Sequence, residues 1–371
     1  MELVAPKSFL VAVLNEGKLH GRTGISFNSV FMDLDMVELD IGKGRIDSLV
    51  TAESYQKAFS EVQNRIGDPI MSKEVPAYSD FKEALQASLL LPPDNLAEVM
   101  KELRLIESHR IQPSRFPKQT CVAIDTNIAY YRLFSRLLIT SEACGVPDYD
   151  PSSIQILIAE LVEQEISEKC GRKYRENELD VLRKGFHNPR LLTNLMNSCT
   201  KDGRKALNAQ AELSVIRQKY NTWDVSGGQW NEDKEKRDQE IIGSLAAHAR
   251  SEDLDILFLS ADDKASSAAK AFKLPIMVLR YPYDVPRTIA YDPWLVAELL
   301  YDLSLIHGII SIRGLGVKVF GDWAGKTAED YRQEKIKIVL EESSALNDDL
   351  TRDWKILERI RSEAVSPGVM R

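Results

Sequence analysis

The 371-residue chain lacks any run of 18 or more apolar residues, so it holds no candidate for the ~20-residue apolar helix that spans a bilayer. Its opening, Met1-Glu2-Leu3-Val4-Ala5-Pro6-Lys7, lacks the basic and apolar regions of a secretory leader. The expectation is a cytoplasmic protein with no membrane partner. Cysteine is sparse: Cys121, Cys144, Cys170 and Cys199 lie 23, 26 and 29 residues apart. No CxxC pair exists to make a zinc knuckle or a redox dithiol, and reduced thiols are expected. The five histidines form no HxxxH or HExxH pattern, which argues against a histidine-based metal site. Internal repeats and low-complexity tracts are also missing. Any metal chemistry is left to oxygen ligands.

With 44% apolar residues the chain can bury a large core, and its length predicts two or three domains. A net charge of −8 speaks against nucleic acid as a partner until it is resolved along the sequence. Between Ile166 and Tyr220 there are twelve Lys or Arg against six acids. Such a stretch suits a polyphosphate partner, with Lys169, Arg172, Lys173, Arg175, Lys201, Arg204 and Lys205 as candidate contacts. A solvated helical hairpin explains the same charges without a partner.

The first segment, 1–112, reads as an α+β domain. It has a glycine-rich turn region at Gly17–Gly24, an alternating stretch at Val30–Leu39, a turn at Gly42-Lys43-Gly44 and helical patterns at Ala52–Ile66 and Asn95–Glu107. Prolines 113 and 117 mark a linker over 111–117. From 118 to 285, short apolar strands at Thr120–Ile124, Ser153–Ile158, Ile256–Ser260 and Pro275–Leu279 alternate with helices. This predicts an α/β fold with a parallel sheet covered by helices on both faces. A basic helical insertion at about 168–228, ending in a flexible loop from Asp224, separates the second strand from the third. The last segment, 286–371, reads as an α+β extension with a helix at Pro293–Ile306, a hairpin at Ile309–Arg313 and Val317–Phe320, and helices at Thr327–Leu346 and Leu350–Ala364.

Within the central segment, five acids stand where charge is expensive. Asp125 closes the strand Cys121-Val122-Ala123-Ile124, and Asp262 and Asp263 follow Ile256–Ala261 in the same way. Glu165 lies in the apolar stripe of Leu161, Val162 and Ile166. Asp238 heads the face carrying Ile241, Ile242 and Leu245, whereas Glu235, Arg237 and Glu240 are read as pointing elsewhere. A carboxylate on such a face costs several kcal/mol, ~2–7 for a polar group and more when charged, unless it is paired or metal-bound. Each acid also has an ordinary explanation. Asp125 and Asp262 can cap the helices that follow them, Glu165 can form a salt bridge, Asp238 can favour a helix dipole, and Asp263 can be solvated.

Four short motifs in this order resemble the PIN domain, a family of metal-dependent nucleases. Ala123-Ile124-Asp125-Thr126-Asn127 resembles its opening hhDTN, and Glu160–Ile166 its hVxxEh helix. Asp238–Ala246 resembles DxxIhxxA, and Leu259-Ser260-Ala261-Asp262-Asp263 resembles hTxD with serine for threonine. The resemblance covers about 118–283 and departs from a minimal member in the 73 positions between Glu165 and Asp238. It implies a PIN-like fold and an endoribonuclease whose Asp125, Glu165, Asp238 and Asp262 are catalytic and, with Asp263, bind Mg²⁺ or Mn²⁺. Thr126, Asn127 and Ser260 then play supporting roles. It further implies RNA cleavage leaving a 3′ hydroxyl and a 5′ phosphate, a possible homodimer, and no small-molecule organic cofactor. The alternative is a non-catalytic RNA-binding or scaffold protein on the same fold.

Two other patterns compete. Phe31–Val37 fits the hhDxDx[TV] opening of haloacid-dehalogenase phosphatases, with Asp33 as nucleophile, but also reads as a half-exposed strand. Gly321–Thr327 resembles a phosphate-binding loop one residue short, and equally a turn in which Thr327 caps a helix.

Overall fold

The computed structural model of the chain describes residues 2–111, 118–140, 151–341 and 344–365. Most of the expected linker, from 112 on, lies outside the described residues, as does Cys144. The chain divides into two compact units. One comprises Met1–Ala84, Lys173–Lys201 and Val285–Arg371; the other comprises Leu85–Arg172 and Asp202–Asp284.

Four strands open the chain: β1 (Glu2–Pro6), β2 (Gly24–Ser29), β3 (Leu34–Asp40) and β4 (Arg45–Leu49). Five follow in the second unit: β5 (Thr120–Ile124), β6 (Gln155–Ala159), β7 (Asn221–Val225), β8 (Asp255–Ser260) and β9 (Ile276–Val278). The last four are β10 (Ile289–Ala290), β11 (Ile309–Arg313), β12 (Val317–Phe320) and β13 (Lys335–Leu340).

In the first unit the outer segments share one eight-stranded sheet, ordered β1-β13-β12-β11-β2-β3-β4-β10. Antiparallel pairing of β2 with β11 sets Phe27 opposite Ile312, and β1 pairs with β13. The division into an N-terminal domain at 1–112 and a C-terminal extension at 286–371 is therefore corrected: the strands of both belong to a single sheet. Pairing between strands some 280 positions apart leaves no trace in local periodicity. The hairpin β11–β12 falls where the sequence placed it, with Gly314 and Gly316 at φ of 93° and 65°. The helix expected over Thr327–Leu346 stops at Arg332, and β13 replaces the rest of it. There the two-residue alternation of Lys335-Ile336-Lys337-Ile338 outweighs helix propensity.

The helix Pro293–His307 is buried without a break from Val296 to His307. Among its buried charges, Glu298 is met by Lys7 at 2.7 Å. A Cβ at Gly321 would lie 2.3 Å from the carbonyl of Ser304 on this helix, so only glycine admits the approach. The loop that follows is not a phosphate cradle. Lys326 turns back onto the carbonyl of Gly321 and the ring of Tyr331, and Thr327 caps Ala328–Arg332.

The basic insertion is not one piece. Residues 173–201 pack in the first unit, where Tyr174 donates to Glu74 at 2.6 Å and Lys201 to Asp80 at 2.8 Å. The helix Lys201–Lys219 falls almost wholly in the second unit, and the loop expected from Asp224 begins two residues later, because Asp224 and Val225 end a strand, β7.

The second unit is built on an all-parallel sheet in the order β7-β6-β5-β8-β9. Successive residues of a strand face opposite sides, and every residue of β6 is buried, so both faces are covered. Helices Leu96–Ile111, Glu160–Lys169 and Lys234–Ser251 contact its strands. From β5 the chain proceeds outward through β6 and β7, whereas β8 and β9 lie on the other flank. The reversal leaves a crevice at the carboxyl ends of β5 and β8.

Gly321→Ala is expected to lower stability by about 3 kcal/mol or more, the upper range for overpacking. Gly24→Ala, whose Cβ meets nothing within 4 Å, should stay within about 0.5 kcal/mol. Urea unfolding of the two variants checks the contrast.

Candidate metal centre

The crevice between β5 and β8 is where the acids gather. Asp125 follows the last residue of β5, and its amide donates to the Leu259 carbonyl of β8 at 2.9 Å. Its side chain is buried and fully engaged. Oδ1 accepts from the Thr126 amide at 2.7 Å; Oδ2 accepts from Ser260 Oγ at 2.7 Å and Asn127 Nδ2 at 3.1 Å. The capping reading is thus correct for Asp125, which heads the short helix Thr126–Tyr130. Burial raises its pKa, Ser260 and the Thr126 amide oppose the rise, and the charge of Glu165 adds to it.

Glu165 reaches the same place from the helix Glu160–Lys169. One oxygen accepts from Thr126 Oγ1 at 2.7 Å and the other from Arg237 Nη2 at 2.9 Å. Its salt-bridge reading is also correct. Asp262 sits past β8, where its Oδ1 accepts from the Lys264 amide at 3.0 Å and Lys234 Nζ lies 3.5 Å from Oδ2. Ser260 ties the two strand ends together, since its Oγ also accepts from the Asp262 amide at 3.0 Å.

Asp238 differs from the other three. Half-buried in the second turn of Lys234–Ser251, its carboxylate makes no hydrogen bond or ion pair among the described residues. Burial pushes its pKa up to about 6; the charge of Asp125 adds to the rise, Lys234 opposes it, and Glu165 and Asp262 contribute further. Asp238 therefore lies within the field of the other three acids.

Three expectations are corrected. Asp263 is exposed, and it is not among the acids whose charge acts on Asp238, so nothing here joins it to the other four. The remaining four are not gathered to coordination spacing. Among the described residues, Glu16, His20 and Asp349 of the first unit are the one trio of His, Cys, Asp or Glu with ligand atoms all within 4.8 Å, and Arg352 pairs with both carboxylates. Mutual repulsion, roughly 3 kcal/mol per pair at 5 Å and a dielectric of 20, keeps carboxylates apart. Lastly, Arg237 does not point away: it is buried, holds Glu165, donates to the Asn231 carbonyl at 3.0 Å and lies 4.7 Å from the Trp230 ring centroid. Its spacing of four from Ile241 carries this signal, because that interval places it on the same stripe as Asp238. Lys234, which faces Asp262, had no such marker.

The residues fit a hard divalent cation in their donor chemistry. Carboxylate oxygens dominate, and Asp238 stands without a partner.

The predicted RNA contacts separate. Lys201 is buried against Asp80 and Arg204 is buried, so both are structural rather than available to a ligand. Lys173 and Arg175 are exposed in the first unit, and Arg172 is exposed in the second. Lys205 is half-buried. Lys169 is exposed 3.9 Å from Glu165, with its ammonium 5.4 Å from the Tyr130 ring centroid. In the first unit Asp33 and Asp35 are both ion-paired to Arg313 beside an antiparallel strand, which removes the free nucleophile that a phosphatase requires.

No protein-family model, curated protein or solved structure matches this chain. Among the described residues, no helix is long and apolar enough to cross a membrane.

The raised pKa of Asp238 gives a signed expectation for the metal-free protein. Its folded pKa of about 6 exceeds the ordinary aspartate value of 3.8. Between these values the native state holds the extra proton, so stability falls as pH rises through the window and levels off above it. Asp238→Asn should therefore raise the melting temperature by roughly 2–4 °C at pH 8 in a chelator and hardly at all at pH 3.5. An equal shift at both pH values excludes the coupling.

Proposed function

We propose that the chain is a divalent-metal-dependent endoribonuclease of PIN-like character, acting at the crevice of its parallel sheet. The observation that carries the proposal is Asp238. A half-buried, unpartnered carboxylate coupled to Asp125, Glu165 and Asp262 is a costly arrangement, and a divalent cation relieves it. Asp125, Asp238 and Asp262 would hold the ion, with Glu165 bordering it. When bound, Mg²⁺ or Mn²⁺ supplies Lewis-acid activation of water and offsets charge at phosphorus. The chain's own groups set the geometry. Ser260 and Asn127 fix the Asp125 carboxylate, Thr126 fixes Glu165, and the start of the Lys234–Ser251 helix brings Lys234 and Asp238 to the same crevice. Lys234 and Lys169 put positive charge at its rim, where a phosphodiester is attracted before it reacts.

Two ion pairs favour a second reading. Arg237 on Glu165 and Lys234 on Asp262 neutralise half of the cluster from within, as a scaffold that had no use for metal requires. The readings separate in one assay. The nuclease cuts labelled single-stranded RNA in Mn²⁺ but not in chelator, and Asp125→Asn and Asp238→Asn each reduce the rate by about 100-fold or more, the scale for removing one charge-stabilising group. Absence of metal-dependent cleavage of any RNA or DNA selects the scaffold.

The candidate basic contacts are tested separately. Lys169→Ala and Arg172→Ala should each weaken RNA binding and reduce the slope of log K against log salt by about 0.7. Lys201→Ala should lower stability and leave that slope unchanged.

A further inference from the structure

We infer that the last helix, Asn347–Val365, is held on the first, Phe9–Leu19, by an ionic clasp that tightens in mild acid and loosens toward neutral pH. Both helices belong to the first unit, and the clasp stands apart from the acids of the second.

The two helices meet through an apolar contact and a charged one. Phe9 and Trp354 pack edge to face, with ring centroids 5.8 Å apart. At the far end of the first helix His20, its C-cap, donates from Nε2 to Asp349 Oδ2 at 2.8 Å. Arg352 reaches Asp349 at 2.9 Å, Asp353 at 3.2 Å and the buried Glu16 at 3.7 Å. His20 closes the carboxyl end of one helix and Asp349 lies in the first turn of the other, so each charge stands at the helix pole that favours it.

Three carboxylates here face one permanent cation, Arg352. A charged His20 answers part of the excess and a neutral one answers none. Lys18, Asp348 and Lys355 are exposed and pair with none of these groups. Around them, Gly17 meets the apolar Leu315 of the β11–β12 turn, and Glu341, just past β13, is paired to Lys318. The helix Pro293–His307 also packs on the first helix; its Glu298 is met by Lys7, and its Asp302 and His307 are buried.

Protonation relieves the excess from the side of the first helix. The pKa of Glu16 is raised, first by burial and then by the charges of Asp353 and Asp349, with Arg352 opposing. Its contribution to docking is therefore complete below its ordinary value of 4.5 and is lost as pH rises through the raised one. Asp349 runs the other way. The hydrogen bond from His20 lowers its pKa, so its contribution holds above 3.8 and fades only in stronger acid. Imidazoles as a class gain their charge between about pH 8 and 5, which places the tightest clasp in mild acid. Opening it would part Phe9 from Trp354 and uncover Leu350, extending an apolar side that already shows Ile356 and Ile360 to solvent.

Amide hydrogen exchange of the full chain in a chelator, at pH 5 and pH 7.5, tests the clasp. Rates are divided by the intrinsic rate at each pH, and the buried helix Pro293–His307 serves as the reference for global opening. Protection of the last helix relative to that reference should be about tenfold higher at pH 5, the scale of a one-unit change in proton affinity. Glu16→Gln, which is neutral at both pH values, should bring protection at pH 7.5 to within about threefold of the wild-type level at pH 5, and His20→Gln should lower protection at pH 5 by a similar factor. The double variant should show no pH response. Equal relative protection of the wild type at both pH values, no protection at either, or a response that survives in the double variant overturns the inference. A contact that only holds the fold together predicts the first of these.

Discussion

Repulsion among four carboxylates crowded at one end of a parallel sheet is the constraint around which the second unit is arranged. Burial and the neighbouring charges raise the proton affinity of Asp125 and Asp238, and nearby polar groups limit that cost. Ser260 and the Thr126 amide stabilise the ionised form of Asp125, Arg237 holds Glu165, and Lys234 faces Asp262. Asp125 and Asp238 both hold a proton more tightly than an ordinary aspartate, chiefly because they are buried, and Asp238, which has no partner, is pushed up to about 6. A fold with no use for this tension would be expected to place leucine or asparagine at position 238. Asp238 is an unpartnered acid next to an arginine, on a helix whose buried face continues through Ile241, Ile242 and Leu245, and the proposed cation would relieve it.

The sheet makes the crowding possible. Strand order reverses between β5 and β8, and both Asp125 and Asp262 emerge at the carboxyl ends of these neighbouring strands. Ser260 joins the two loops by a pair of hydrogen bonds, so the two acids are set by the sheet's register rather than by flexible loops. The glycine pair before the Lys234–Ser251 helix belongs to the same construction. Gly228, at φ of 83°, lets the chain pass so close to Leu161 that a Cβ would sit 2.7 Å from its Cδ1. That loop then carries Trp230 and Asn231, which hold Arg237 in place.

The first unit follows a different logic. Its outer segments build one antiparallel sheet, and its helix Pro293–His307 is buried from Val296 onward. Charges placed there are answered locally, Glu298 by Lys7 and the surface pair Asp33 and Asp35 by Arg313. Residues 173–201 also belong to this unit, with Gly185 packed against Ile66 and Val62. What reads along the chain as a basic insertion is therefore divided between two bodies, and its central cations are used for folding.

Local physics was legible in the sequence. Short apolar runs between helices announced the parallel strands, because strands covered on both faces need continuous hydrophobicity. Acids at the ends of those runs and inside helical stripes announced a shared site, because a period of 3.6 or 2 fixes which way a side chain faces. The same periodicity located the Ala52–Ile66 helix and the β11–β12 hairpin. Only the tertiary structure decided what depends on encounters between distant segments: that β2 lies beside β11, that β7 completes the parallel sheet, that Lys201 is consumed by Asp80, and that Arg237 and Lys234 rather than solvent confront the acids. A lysine on a helix reads the same whether it meets water or a buried carboxylate, since its partner lies dozens of positions away and is chosen by packing.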